Sequence, residues 1–166
     1  MALAFLLVLT ASSCGYRFHP EGEKISRDIR KVYVDVFTNN TAEANIETTF
    51  RNAFIDQFIK GRRFMIVNAV GLADAVLKGD IKNLTASPLA YRGDNNLALE
   101  KRMTVTLSLT LEEKDTKKTV WREENFSQWG DYTLNSRNLN AGQKNALVKM
   151  ANDAAERAYR MMVADF

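Results

Sequence analysis

"RMTVTLSLTLEE", Arg102–Glu113, alternates strictly. Met103, Val105, Leu107, Leu109 and Leu111 point one way, and Thr104, Thr106, Ser108 and Thr110 point the other. A period of two identifies a strand, and a single apolar face identifies a sheet covered on one side only. "KDTKK" (Lys114–Lys118) follows as a hairpin turn. "TVWREENFSQW" returns as a second strand, alternating less cleanly, which fits a bulge. After a polar stretch, Gly130–Asn138, the period becomes helical near Asn140. Leu147, Met150, Ala151, Ala154, Ala158 and Met161 mark one face. The small residues Ala151, Ala154, Ala155 and Ala158 suit close approach to a sheet.

Working upstream, "TASPLAYRGDNNLALEK" is rich in turn-forming residues and reads as a loop or as the frayed ends of two strands. "ADAVLKGDIKNL" before it alternates, with Ala73, Ala75, Leu77, Gly79 and Ile81 on one face. "RFMIVN" (Arg63–Asn68) is a short apolar strand. From about Asn45 to Lys60, Ile46, Phe50, Ala53, Phe54 and Phe58 share a helical face. This aromatic stripe reads as a core-facing surface. Asn40, with Glu43 three residues on, and Asn45 compete as N-cap, and Gly61 is a C′ residue that stops the helix. "RKVYVDVF" (Arg30–Phe37) is a strand with Val32, Val34 and Val36 on one face. "NNT" at Asn39–Thr41 matches a glycosylation acceptor but reads here as turn and cap chemistry.

The order is strand, helix, four strands, helix. The first helix joins two strands as a βαβ unit with a right-handed crossover, and the later strands, joined by shorter connections, are antiparallel. The expected fold is α+β: a two-layer sandwich with two helices on one face of a mixed four- to five-stranded sheet.

The chain has 166 residues, enough for one domain with a real core. Its net charge of +3 is too weak to argue for nucleic acid. No apolar run reaches the length of a membrane-spanning helix. One cysteine and one histidine rule out an internal disulfide, multi-cysteine zinc sites and histidine-rich metal sites.

That cysteine, Cys14, lies in "TASSCGYRFHP", behind the apolar run Ala2–Leu9. A catalytic thiol needs a base, and His19, the only histidine, has no partner to orient it. A disulfide partner is missing. A buried N-terminal strand with a free thiol remains one reading. The other is a lipoprotein signal, in which the thiol receives a diacylglyceryl group and becomes the first mature residue. Ala11 stands where that pattern has Leu, and no Lys or Arg precedes Cys14. Gly15, rather than Asp, follows the cysteine, which in such lipoproteins favours the outer membrane. The resulting division is a signal peptide at 1–13, a lipid-anchored tether at 14–29 and one domain at 30–166.

No GxSxG, Walker A, HExxH or CxxC pattern is present, and no nucleophile–base pair stands out. No enzyme, metal or cofactor is expected. Basic residues gather at strand ends and turns, where several could meet at one rim of the sheet and hold phosphate or carboxylate groups.

"CGYRF", "VYVDVFTNNT", "ADAVLKGDI", "MTVTLSLTL", "VWREENFS" and the Ala-rich closing helix, in this order and spacing, resemble the outer-membrane lipopolysaccharide-assembly lipoproteins of the LptE family. The resemblance runs from Cys14 almost to the C-terminus. It implies two helices on a four-stranded mixed sheet and a non-enzymatic protein at the periplasmic side of the outer membrane, anchored through Cys14. It implies a plug that helps the β-barrel LptD fold, binds lipopolysaccharide and assists its delivery to the outer leaflet. By position, the lipopolysaccharide-binding candidates it implies are Arg92, Lys101, Arg102 and Arg137. The alternatives are a lipid-anchored pilot for another outer-membrane machine, with no lipid ligand, and a tethered periplasmic hydrolase.

Overall fold

The computed structural model describes Ile25, residues 28–92, residues 97–134 and residues 139–164. Cys14, His19 and Arg137 lie outside these residues, as do the signal segment and most of the span read as a tether.

The chain forms β1 (Lys31–Val34), β2 (Thr38–Asn39), α1 (Ile46–Gly61), β3 (Met65–Ile66), a single 3-10 turn (Val70–Leu72), β4 (Ala75–Arg92), β5 (Leu97–Glu113), β6 (Thr119–Thr133) and α2 (Leu139–Ala164). The sheet runs β3-β1-β4-β5-β6, with β2 paired to β4 off this path. β1 is parallel to β3 and to β4, whereas β4, β5 and β6 form an antiparallel meander. The α+β sandwich with a mixed sheet is as expected, but the sheet has six strands rather than four or five.

The additional strand, β2, lies just beyond Phe37, after the alternation of Arg30–Phe37 breaks. Val32 and Val34 face the core. At Asp35 the side chain accepts the Val36 N–H at 2.8 Å, and the alternation slips there. Val36 is left 66% exposed, while Phe37, expected outside, is 2% exposed. Phe37 meets Phe54 with ring centroids 5.3 Å apart and lies over Gly79, where a Cβ would fall 2.4 Å from its ring. The Asn39–Thr41 segment is indeed a turn: Asn39 Oδ1 accepts from the Thr41 N–H and Oγ1 at 2.9 and 2.8 Å.

α1 buries all five residues of the expected stripe. Its start is at Asn45, in the left-handed region (φ 62), not at Asn40. Gly61 is the last helical residue, and Arg62 (φ 58) takes the left-handed position beyond it. Glycine is required at 61 for another reason: a Cβ would sit 2.1 Å from the Tyr159 ring. Tyr159 and Phe58 pack edge to face at 5.2 Å, and Phe64 stacks on Phe58 at 5.4 Å, which locks the C-terminal end of α1 to α2. On α2, Ala151, Ala154, Ala155 and Ala158 are fully buried, and the deepest methionine near the end is Met162 rather than Met161. Ile25 and Ile29, within the span read as a tether, are buried in the same core.

The antiparallel strands are longer than their patterning indicates. The segment with Pro88 is the ends of two strands, not a loop: β4 continues to Arg92 and β5 begins at Leu97. Register shifts at Ile81/Asn83, Pro88/Ala90 and Ala90/Tyr91 absorb its irregularity. Pro88 is tolerated because β4 has only β5 beside it at that level, so its missing N–H deprives no second neighbour. β6 likewise runs on to Thr133, with the anticipated bulge where β5 shifts between Leu107 and Leu109.

Candidate binding face

The alternation of β5 places Met103–Leu111 against the helices and Arg102, Thr104, Thr106, Ser108 and Thr110 on the open face. That open face is a ladder of hydroxyls with charges at intervals. Lys78 and Arg122 flank Thr110 in the register. Lys78 pairs with Glu112 at 2.6 Å, and Arg122 with Glu124 at 3.0 Å. Lys82, the extra residue at the β4 bulge, donates from Nζ to the Glu124 carbonyl on β6 at 2.7 Å.

The most ordered group sits where β5 and β6 pair Arg102 with Asp131 and Thr104 with Trp129. Arg102 Nε and Nη2 donate to the two Asp131 oxygens at 2.7 and 2.8 Å. Its guanidinium carbon lies 4.0 Å from the Trp129 ring centroid, and Trp129 is 53% exposed. The forked hydrogen bond holds the Asp131 carboxyl below its usual range and raises Arg102 above its own. The planar carboxylate and the aromatic face fix the guanidinium in one orientation, and Asp131 takes its fork.

Of the four basic residues named from the sequence, Arg137 lies outside the described residues, and Arg92, Lys101 and Arg102 are spread along the β4–β5 hairpin. Lys101 and Arg102 are consecutive on a strand and so face opposite sides. Lys101 lies between Pro88 and Tyr132 in the register, and Arg102 between Ser87 and Asp131. Arg92 ends β4 opposite Leu97, farther out along the hairpin. Trp129 and Asp131 were missed by the sequence reading. Their i, i+2 spacing on one strand was a signal that they share a face, but the pairing with Arg102 depends on a register no local pattern supplies.

Two shallow clefts lie at the other side of the meander. One, of about 230 Å³, runs beneath the β4–β5 hairpin between Leu84, Ala86 and Met103 on the sheet and Thr41, Glu43 and Gln143 beyond it. The other, of about 480 Å³, separates the starts of the two helices, with Asn45, Thr49, Lys144 and Leu147 in its walls. Gln143 Nε2 bridges to Glu43 Oε2 at 3.2 Å between them. Burial, with Glu43 adding to it, raises the Tyr132 phenol above its ordinary value. Among the described residues, no group of three or more His, Cys, Asp or Glu is placed to hold a metal.

Solved structures share this fold at low identity. A rare lipoprotein B from Shewanella oneidensis is 13% identical, with 81% of this chain and 95% of that chain covered and a TM-score of 0.52. A minor lipoprotein from Acinetobacter baumannii is 11% identical over 82% of this chain and 94% of that one, with a TM-score of 0.53. A PelC dodecamer from Paraburkholderia phytofirmans is 15% identical over 86% and 95%, with a TM-score of 0.51. No curated protein matches significantly. The family model described as "LptE: Lipopolysaccharide-assembly" matches residues 29–162, nearly the whole described domain. That family is one of non-enzymatic assembly lipoproteins. The chain therefore belongs to the LptE family, the outer-membrane lipoproteins of lipopolysaccharide assembly.

Proposed function

We propose that this protein is the plug and folding partner of an LptD β-barrel, held on the periplasmic side of the outer membrane by acyl chains on Cys14. In this reading residues 1–13 are removed as a signal, the chain from Cys14 tethers the domain up to Ile25, which with Ile29 already belongs to the core, and the protein assists lipopolysaccharide delivery without catalysing a reaction. The observation that carries the reading is the family match across 29–162. The geometry is compatible in a specific way. The lumen of an outer-membrane barrel is polar, and a plug needs a face that hydrogen-bonds to such a wall. The hydroxyl ladder of β5, with its charges largely neutralised in place, has that character.

Lipid A carries phosphates, which Arg and Lys bind, so the proposed lipopolysaccharide contacts are Arg92, Lys101, Arg102 and Arg137. Arg102 leads this group because Asp131 and Trp129 hold its guanidinium in place. Arg92→Glu with Arg102→Glu is expected to weaken lipopolysaccharide binding with an unchanged circular dichroism spectrum; unaltered binding overturns the assignment. Pull-down from solubilised outer membranes through a C-terminal tag is expected to bring down an LptD-type barrel. A ring-forming partner in its place would support the second reading, a pilot for another outer-membrane machine.

A further inference from the structure

The connection from β3 to β4 has to pass β1, because β1 lies between them in the sheet. On the helix side β1 is covered by α1 and its valines are buried in the core. The connection therefore crosses the open side, with its 3-10 turn against β1. Val76 confirms this. It alternates with Ala75 and Leu77, so it faces away from the helices, yet it is only 5% exposed and stands outside the main core. The 3-10 turn, which packs against β1, is itself apolar and uncovered: Val70 is 42% exposed and Leu72 59%. Met65, on the opposite face from the core-packed Ile66, is 63% exposed. It pairs with Lys31 at the same end of β1.

The start of β1 lies at this corner. The Arg30 and Lys31 N–H groups donate to Asp74 Oδ2 at 3.0 and 2.7 Å, two residues after the turn. The Arg30 carbonyl accepts from the Met65 N–H at 2.7 Å. So the start of β1 is braced by the residues bordering the apolar turn. Arg30, Lys31 and Arg62 are exposed in the adjoining chain, with Asp28 and Asp74 exposed among them. Apolar residues standing out of a surface with cations around them match the interfacial layer of a bilayer, which accepts apolar side chains and carries anionic headgroups. No helix among the described residues is long and apolar enough to cross a membrane, so contact of the domain with lipid has to be of this superficial kind or through strands.

We infer that Met65, Val70 and Leu72 form a second, non-covalent membrane contact, which seats this corner of the domain in the leaflet that holds the acyl chains on Cys14. The inference rests on the lipoprotein reading. A single tether fixes distance but leaves the domain free to rotate; a second contact on the domain surface fixes its orientation. The occupant is lipid, and a protein partner or second copy is an outcome that the test separates.

The acylated full-length protein, with an environment-sensitive dye at Leu72→Cys, is reconstituted into phosphatidylethanolamine vesicles containing a minor share of phosphatidylglycerol. Mass spectrometry of the mature N-terminus establishes acylation first, and an unacylated cysteine there overturns the lipoprotein reading on which the contact depends. With acylation confirmed, the dye emission is expected to shift to the blue and to be quenched by brominated lipids, while the same dye at Glu156→Cys on α2 does neither. Adding Met65→Asp and Val70→Asp is expected to abolish the shift and quenching with the melting curve retained, since both side chains are exposed. No shift at residue 72 in the acylated protein overturns the inference. So does a blue shift that brominated lipids leave unquenched, which would assign the patch to protein contact.

Discussion

Asp74 shows how one exposed residue can organise the start of a domain. Its carboxylate accepts two backbone N–H groups at the beginning of β1, and these bonds hold its pKa below the usual carboxylate value against a smaller opposing effect of burial. A carboxyl depressed on folding contributes stability above its unfolded pKa, and that contribution is lost as pH falls through the depressed value. Asp74→Ala is expected to cost about 1 kcal/mol near neutral pH, the scale for exposed charge-assisted bonds. The variant should lose less stability than the parent on acidification, as read by urea unfolding at several pH values; parallel pH profiles would reject this role. Gly79→Ala tests a different contact, because its Cβ would enter the Phe37 ring. Overpacking of that kind costs about 1–3 kcal/mol, measurable as a lower urea midpoint with an unchanged slope. Neither role was legible in the sequence. Gly79 read only as one member of an alternating face, and Phe37 was assigned to the wrong side because the slip at Asp35 is local.

At the scale of elements, periodicity located both helices and the central strand because each buries one continuous face. It failed where a strand is exposed on both sides. From Thr85 to Leu89 β4 is exposed at every residue, so no alternation of polarity was selected there, and turn-forming residues dominate the composition. This overhang contributes little to the core. Ser87 and Arg102 are direct partners, so an Asn-Gly turn could join them in place of residues 88–101. The shortened protein is expected to melt close to the parent temperature and to lose lipopolysaccharide binding, read by calorimetry and by binding assay. Retained binding would remove the hairpin end from the functional surface. By contrast, Phe54→Ala in α1 removes a fully buried ring and is expected to cost about 3–5 kcal/mol.

For the whole molecule, the two-layer fold and its helix-covered face were legible, and so was the family. The sequence could not bring together groups that meet only through strand register. Arg102, Trp129 and Asp131 come from two strands and become one unit only when β5 and β6 align. The apolar corner at Met65 and Leu72 depends on where a connection crosses. If the open face meets a barrel wall, Trp129 should become less accessible to acrylamide when the barrel partner is bound; Trp121, already 9% exposed, serves as the internal reference.

β6 carries a further consequence. It ends the sheet, and a fifteen-residue free edge invites strand addition by another unfolded or partly folded chain. Two of its carbonyls are already occupied: Lys82 donates to that of Glu124, and Arg157 of α2 to that of Ser127 at 2.8 Å. A bulge between them interrupts the ladder. The two occupied carbonyls and the bulge break up the run of free groups that an added strand would need.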